Sequence, residues 1–228
     1  MDYKFEHIYK SWDDLKLFED FSLALHPGMI TCVLGPSGCG KTTLLNMLNG
    51  HVQPDTGSVS GINGKQVSYV FQEPRLLPWK TVIENVMFVL KGIFTAEEAR
   101  HRAGKYLDMV ELNEFRDYYP SRLSGGMKQR VSLARAFSFP SDLILMDEPF
   151  SSLDVRLKEN LLKAFIRLWE VDQRTVVFVT HEPDEAIQIG HEIIVLSKPP
   201  ISIKKIFTKD DLHKISSGAR EKIIGLIE

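Results

Sequence analysis

Short apolar runs rich in strand formers alternate with segments of helical periodicity along most of this chain. Met29 to Leu34 (MITCVL) is the first clear run, and a glycine-rich stretch follows it at once. Lys41 to Asn49 then places apolar side chains at Leu44, Leu45, Met47 and Leu48, with Gly50 as a helix stop. Pro54 to Gly61 (PDTGSVSG) has turn composition, and Val67 to Phe71 (VSYVF) reads as another strand, ending at Gln72. From Pro78 to about Ala136 the pattern turns helical. Thr81 with Glu84, and Thr95 with Glu98, have capping-box spacing, and Ala96 to Leu112 has helical periodicity with few β-branched residues. Strand runs return at Asp142 to Met146, Thr175 to Thr180 and Ile193 to Leu196; helical segments follow the first two, at Val155 to Trp169 and Asp184 to Ile189. After Pro200 only a helix near Ala219 to Ile227 is expected. The alternation predicts an α/β fold on a mainly parallel sheet covered on both faces, with the helical block as an inserted lobe.

Composition narrows the class. A chain of 228 residues suits one α/β domain, or one core with a small inserted lobe. With 43% hydrophobic and 25% charged residues it has a globular profile, and a net charge of −2 provides no basic field for nucleic acid. No apolar run approaches the roughly 18 residues needed to cross a bilayer. The N-terminus, MDYKFEHIYKSWDD, is too polar for a secretory signal, so the chain is expected to stay in the cytosol. Cys32 and Cys39 have neither the spacing of a metal site nor the setting of a disulfide.

The glycine-rich stretch, Gly35 to Thr42, reads GPSGCGKT. Glycines at 35, 38 and 40 let the backbone take positive φ and approach an oxygen closely. Successive N–H groups then converge on phosphates, assisted by the positive end of the following helix. Lys41 brings a point charge to the β and γ phosphates, and Thr42 a hydroxyl for Mg²⁺. Asp147 and Glu148 end the run LILM, at the carboxyl end of a strand where ligands bind in open α/β sheets. The first suits a Mg²⁺ shell, and the second can orient or deprotonate an attacking water. A solvated loop start is the alternative for this pair taken alone. Leu123 to Arg130 (LSGGMKQR) offers a second anion site at a helix start, or else an ordinary N-capped helix. One polypeptide hardly needs two phosphate sites for one nucleotide.

Together these motifs resemble the ATP-binding-cassette ATPase family. LSGGMKQR looks like its signature sequence, LILMDE like its Walker B strand with the catalytic glutamate, and SSLD (Ser151 to Asp154) like its D-loop. Gln72 looks like the Q-loop glutamine and His181, after TVVFVT, like the switch histidine; order and spacing match from about Tyr3 to Leu196. The resemblance implies a P-loop, RecA-like core over residues 1–77 and 137–228, with an N-terminal antiparallel β portion and a helical signature subdomain over 78–136. ATP would be held by Gly35, Pro36, Ser37, Gly38, Cys39, Gly40, Lys41, Thr42 and Thr43. Mg²⁺ would be held by Thr42, Gln72 and Asp147, and Glu148, Gln72 and His181 would form the catalytic set. Two copies would pack head to tail, so Ser124, Gly125 and Gly126 close over the partner's ATP, and Asp154 contacts the opposite subunit or acts as a helix cap. Trp12 would stack on adenine, with Tyr9 as the competing choice and packing as a further alternative for the indole.

No fused membrane segment is expected, an arrangement the family resemblance links with importers whose ATPase subunits are separate chains. FQEPRLLPWKTVIENV (Phe71 to Val86) looks like importers of the nitrate, sulfonate, taurine and thiamine-precursor type. Leu76, Leu77, Pro78 and Trp79 would receive a short helix of a membrane permease, or form an apolar lip on the helical lobe. A solute-binding protein would be an indirect partner, and the cytoplasmic face of the membrane the location. SSLD, THEPDEA and GHEIIVL depart from the usual subgroup patterns and leave the solute open. No C-terminal regulatory domain is expected. A nucleic-acid or ribosome ATPase of the same superfamily is the alternative function.

Overall fold

The computed structural model describes residues 2–151, 153–215 and 218–227; Ser152, within SSLD, lies outside them. The chain divides into two compact units, Met1–Val67 with Arg174–Glu228, and Ser68–Gln173. The expected lobe, 78–136, falls wholly inside the second.

In the first unit, β1 (Tyr3–Trp12), β2 (Leu15–Leu25) and β4 (Thr56–Ser60) form an antiparallel sheet in the order β2-β1-β4. Tyr3, Phe5 and Ile8 of β1 are buried. The turn composition of Pro54 to Gly61 misleads: Thr56 to Ser60 pair with β1 as an edge strand, and the pairing with Lys4 to Tyr9 overrides local propensity. A second sheet runs β7 (Thr175–Val179), β3 (Ile30–Leu34), β8 (Glu192–Leu196), β9 (Ile203–Thr208). β3 is parallel to both its neighbours and β9 antiparallel to β8. Every residue of β3 is buried, which is why it reads as a continuous apolar run rather than an alternating one. β3 delivers the chain into the glycine turn that opens α1 (Lys41–Leu48). Helices α6 (Pro183–Ile189) and α8 (Ala219–Ile227) cover this sheet, α6 on β3 and α8 on β8. β9 and α7 (Lys209–Ile215) were not expected in the tail. His191, in the atypical GHEIIVL stretch, accepts the Ile30 N–H on Nδ1 at 3.2 Å, so the ring anchors the start of β3 in its neutral form.

The second unit pairs β5 (Val67–Val70) with β6 (Leu143–Asp147) and carries, among the described residues, the α-helices α2 (Val82–Phe88), α3 (Ala96–Met109), α4 (Gly125–Ser138) and α5 (Val155–Trp169). Both expected capping boxes are closed, Thr81 with Glu84 and Thr95 with Glu98. α4 packs against α2, α3 and α5, burying Val131, Leu133, Ala134 and Phe137. The buried Asn85 organises the loop before α2. Its Oδ1 accepts the Leu77 N–H at 2.7 Å, and its Nδ2 donates to the carbonyls of Leu77, Lys80 and Thr81 at 2.9 to 3.1 Å. Asn85→Leu keeps the branched shape but strips the Leu77 N–H of its acceptor and the Leu77, Lys80 and Thr81 carbonyls of their donor at a buried position. It should lower unfolding free energy by about 2–4 kcal/mol, read from chemical denaturation.

Candidate functional site

The glycine loop is built around Gly40, the N-cap of α1, at φ 106°. The positive φ favours glycine here, and a Cβ would also meet the ends of the Leu17 and Ile201 side chains at 2.8 to 3.0 Å and make them shift. Gly38 also has positive φ, 73°. The N-cap has no side-chain capping bond and the first turn of α1 holds no acid, leaving an electropositive helix start. Lys41, only 5% exposed, lies across the loop, with Nζ donating to the carbonyls of Gly35 at 2.8 Å and Pro36 at 3.0 Å. A charge held inside a ring of backbone groups fits a polyphosphate ligand. Thr42 and Thr43 follow in the first turn. Cys39 is buried in the loop, and Ser37 sits at its exposed crest. Thr180 N–H donates to Val33 O at 3.2 Å, so the chain entering His181 is registered on the strand that feeds the loop. The His181 imidazole is half exposed, with Nε2 at 3.7 Å from Glu182 Oε1. Trp12, 49% exposed, and Tyr9 are both surface residues of β1; the Lys10 ammonium lies 4.8 Å from the Trp12 ring centroid. In the tight β1–β2 hairpin Trp12 pairs with Leu15, and the same hairpin places Leu17 against Gly40.

In the second unit, Asp147 is the last residue of β6 and Glu148 follows at φ 45°, in the left-handed region that a glutamate rarely occupies. The turn is braced by Ser151, whose hydroxyl donates to Glu148 O at 3.1 Å and accepts Gln72 Nε2 at 2.9 Å. The amide nitrogen of Gln72 is engaged in this way, so its carbonyl oxygen is the end suited to a cation. Within this unit the Asp147 carboxylate and the Gln72 carbonyl are oxygen donors of the hard kind that Mg²⁺ takes. Tyr69 O–H donates to Asp147 Oδ2 at 3.2 Å. Burial, reinforced by the Asp147 charge, pushes the Tyr69 phenol above its usual range, so it stays a donor.

Ser124 caps α4, accepting the Met127 N–H at 3.3 Å, and Gly125 and Gly126 open the helix. A Cβ on Gly126 would stand 3.2 Å from Leu157, so the glycine permits close packing of α4 against the start of α5. Asp154 caps α5 through the Leu157 N–H at 3.0 Å. α4 also grips the segment after β5: Gln129 Nε2 donates to Phe71 O at 3.4 Å, and Arg135 donates to Pro74 O and Arg75 O at 2.8 and 3.0 Å. Gln129, Arg135, Tyr69 and Asn85 were not singled out in the sequence. The partners of Gln129, Arg135 and Tyr69 lie 58 to 78 residues away in the chain, whereas Asn85 bonds residues four to eight positions before it and shows only as a polar residue on a buried helical face.

The ABC transporter family model matches residues 18–151. An ABC transporter ATP-binding protein of Methanocaldococcus jannaschii is 40% identical over 209 residues, spanning 88% of this chain and 77% of that protein. A taurine import ATP-binding protein of Chromobacterium violaceum is 41% identical over 81% of this chain and 73% of its own length. Among solved structures, a dimeric post-hydrolysis state of an ATP-binding cassette with ADP and Pi superposes with a TM-score of 0.75 at 29% identity, covering 91% of this chain and 98% of that one. The fold and glycine loop define an α/β P-loop nucleotide-binding protein. The chain belongs to the ABC transporter family, as an ATP-binding ATPase.

Proposed function

We propose that this chain is the ATP-hydrolysing subunit of an importer for a small solute, an anion such as nitrate, sulfonate or taurine, or a thiamine-precursor-like molecule. The observation that carries the reading is the pairing of a complete phosphate loop, with Lys41 laid over Gly35 and Pro36, and a second glycine-rich helix start at Ser124. Two copies arranged head to tail use both: the loop of one grips the triphosphate, and Ser124, Gly125 and Gly126 of the other close over it. The dimeric cassette noted above supports that arrangement by analogy. The nucleic-acid alternative has no support in the import protein matched here.

In this mechanism the loop N–H groups and Lys41 neutralise the phosphates, and Glu148 holds the attacking water and draws its proton. Mg²⁺, held by Thr42, Asp147 and Gln72, would add positive charge at the phosphate oxygens. His181 contacts the γ-phosphate, Asp154 meets the partner subunit, and Trp12 rather than Tyr9 stacks on adenine. The permease docks on the helical subdomain, taken as 78–136. There Trp79 is 70% exposed on the loop that Asn85 holds, and a cavity of about 360 Å³ lined by Lys80, Met87, Phe88 and Phe94 opens on the same unit. No helix among the described residues is long and apolar enough to cross a membrane; the importer reading itself puts the subunit peripherally at the cytoplasmic face.

The test is affinity capture of the chain from native membranes. A polytopic membrane protein should co-purify, and ATP hydrolysis should rise when its solute-binding protein and solute are added. Trp79→Glu should lose the membrane protein while keeping ATP hydrolysis by the isolated chain within about twofold of wild type. Capture of ribosomes or nucleic acid instead would overturn the importer reading.

A further inference from the structure

The turn that presents His181 is tied to a buried carboxylate that none of the chemistry above uses. Glu185 is 5% exposed and occupies the third position of α6, where Glu182 is the N-cap. Thr180, just beyond β7, is also buried. Its hydroxyl donates to Glu185 Oε2 at 2.7 Å and accepts the Glu182 N–H at 3.1 Å. In an ordinary capping box the carboxylate at the third position reaches the N-cap N–H directly. Here the Thr180 hydroxyl is a relay between them, and the two ends of the relay, residues 180 and 182, flank His181.

Three features suggest more than helix capping. The carboxyl group is buried, where a polar group is costly unless hydrogen-bonded, and the Thr180 hydroxyl meets it at 2.7 Å. The hydroxyl is satisfied in both directions, so its rotor is fixed. Finally, the Thr180 N–H is bonded to Val33 O in β3, two residues before the phosphate loop begins at Gly35. The turn is therefore clamped at its side chain to α6 and at its backbone to the strand that delivers the loop.

We infer that Thr180 and Glu185 are positioning residues for His181: Glu185, acting through the Thr180 hydroxyl, sets the 180–182 turn so that the imidazole meets the γ-phosphate. The inference rests on the reading of His181 as that contact. Nucleotide affinity resides in the glycine loop and Lys41, so loss of the relay lowers turnover and leaves binding intact.

Turnover of ATP and equilibrium binding of a fluorescent ATP analogue are to be measured on the full chain for Thr180→Val, Thr180→Ser, Glu185→Gln and His181→Ala. Thr180→Val, which keeps the shape and removes the relay, should lower kcat on the order of tenfold to a hundredfold while Kd stays within about twofold. Thr180→Ser should restore most of the rate. Glu185→Gln retains an acceptor oxygen and should fall between, and it provides the reading if Thr180→Val does not fold. In a His181→Ala background, Thr180→Val should cost nothing further. Wild-type turnover in Thr180→Val or Glu185→Gln beside an inactive His181→Ala would overturn the inference alone. So would equal losses in the Val and Ser variants, or a Kd that rises in step with the fall in kcat. Wild-type turnover in His181→Ala would overturn the reading of His181 itself, and the inference with it.

Discussion

Glu148→Gln should bind ATP as the wild-type chain does and hydrolyse it on the order of 10² to 10⁴ times more slowly, the usual contribution of a positioned general base. The substitution is close to isosteric, so the left-handed backbone at this position meets no new steric demand. The brace from Ser151 goes to the Glu148 backbone carbonyl and survives the change, as does its bond from Gln72. What is lost is the ability to take a proton from water. Single-turnover hydrolysis beside equilibrium ATP binding separates these effects; a wild-type rate would remove Glu148 from the catalytic role.

Ser124→Arg should also abolish hydrolysis, for a different reason. Ser124 is exposed at the start of a 14-residue helix with no acid in its first turn. Its side chain caps the helix through the Met127 N–H, worth about 1 kcal/mol, and its carbonyl still accepts the Lys128 N–H after the change, so the fold should tolerate the loss. An arginine there fills the space that the partner's γ-phosphate must enter and prevents closure. Loss of ATPase activity should therefore come with ATP affinity of the single chain within about twofold of wild type. If affinity and hydrolysis fell together, the signature would be acting on its own chain's nucleotide.

Much of this was legible in the sequence because it is contiguous. A glycine loop between a strand and a helix, a carboxylate pair ending an apolar run, and two capping boxes each need only neighbouring residues. The parallel strands were legible because burial on both faces leaves an unbroken apolar run, as in β3. Edge strands were not. TGSVS has turn composition and becomes β4 only because β1 lies beside it, and β9 carries Lys204 and Lys205 where a core strand would be apolar. The supports of the site were equally hidden. Arg135 grips a carbonyl 61 residues away, and Tyr69 reaches a carboxylate 78 residues on. No local pattern announces such pairs. Even within the short THEPDEA segment, the relay through Thr180 shows only once the turn is folded, because threonine stands in for a contact that glutamate makes directly in the common motif.

The claim on which the account turns is that one chain holds half of each site. Glu148→Gln, which should bind ATP without consuming it, allows that claim to be tested by light scattering as nucleotide is added. The account predicts a shift from the 26.0 kDa of the single chain to twice that mass, with one ATP retained per chain, and no shift when Ser124→Arg is added to the same chain. A mass that stays at 26.0 kDa while ATP is bound would contradict it.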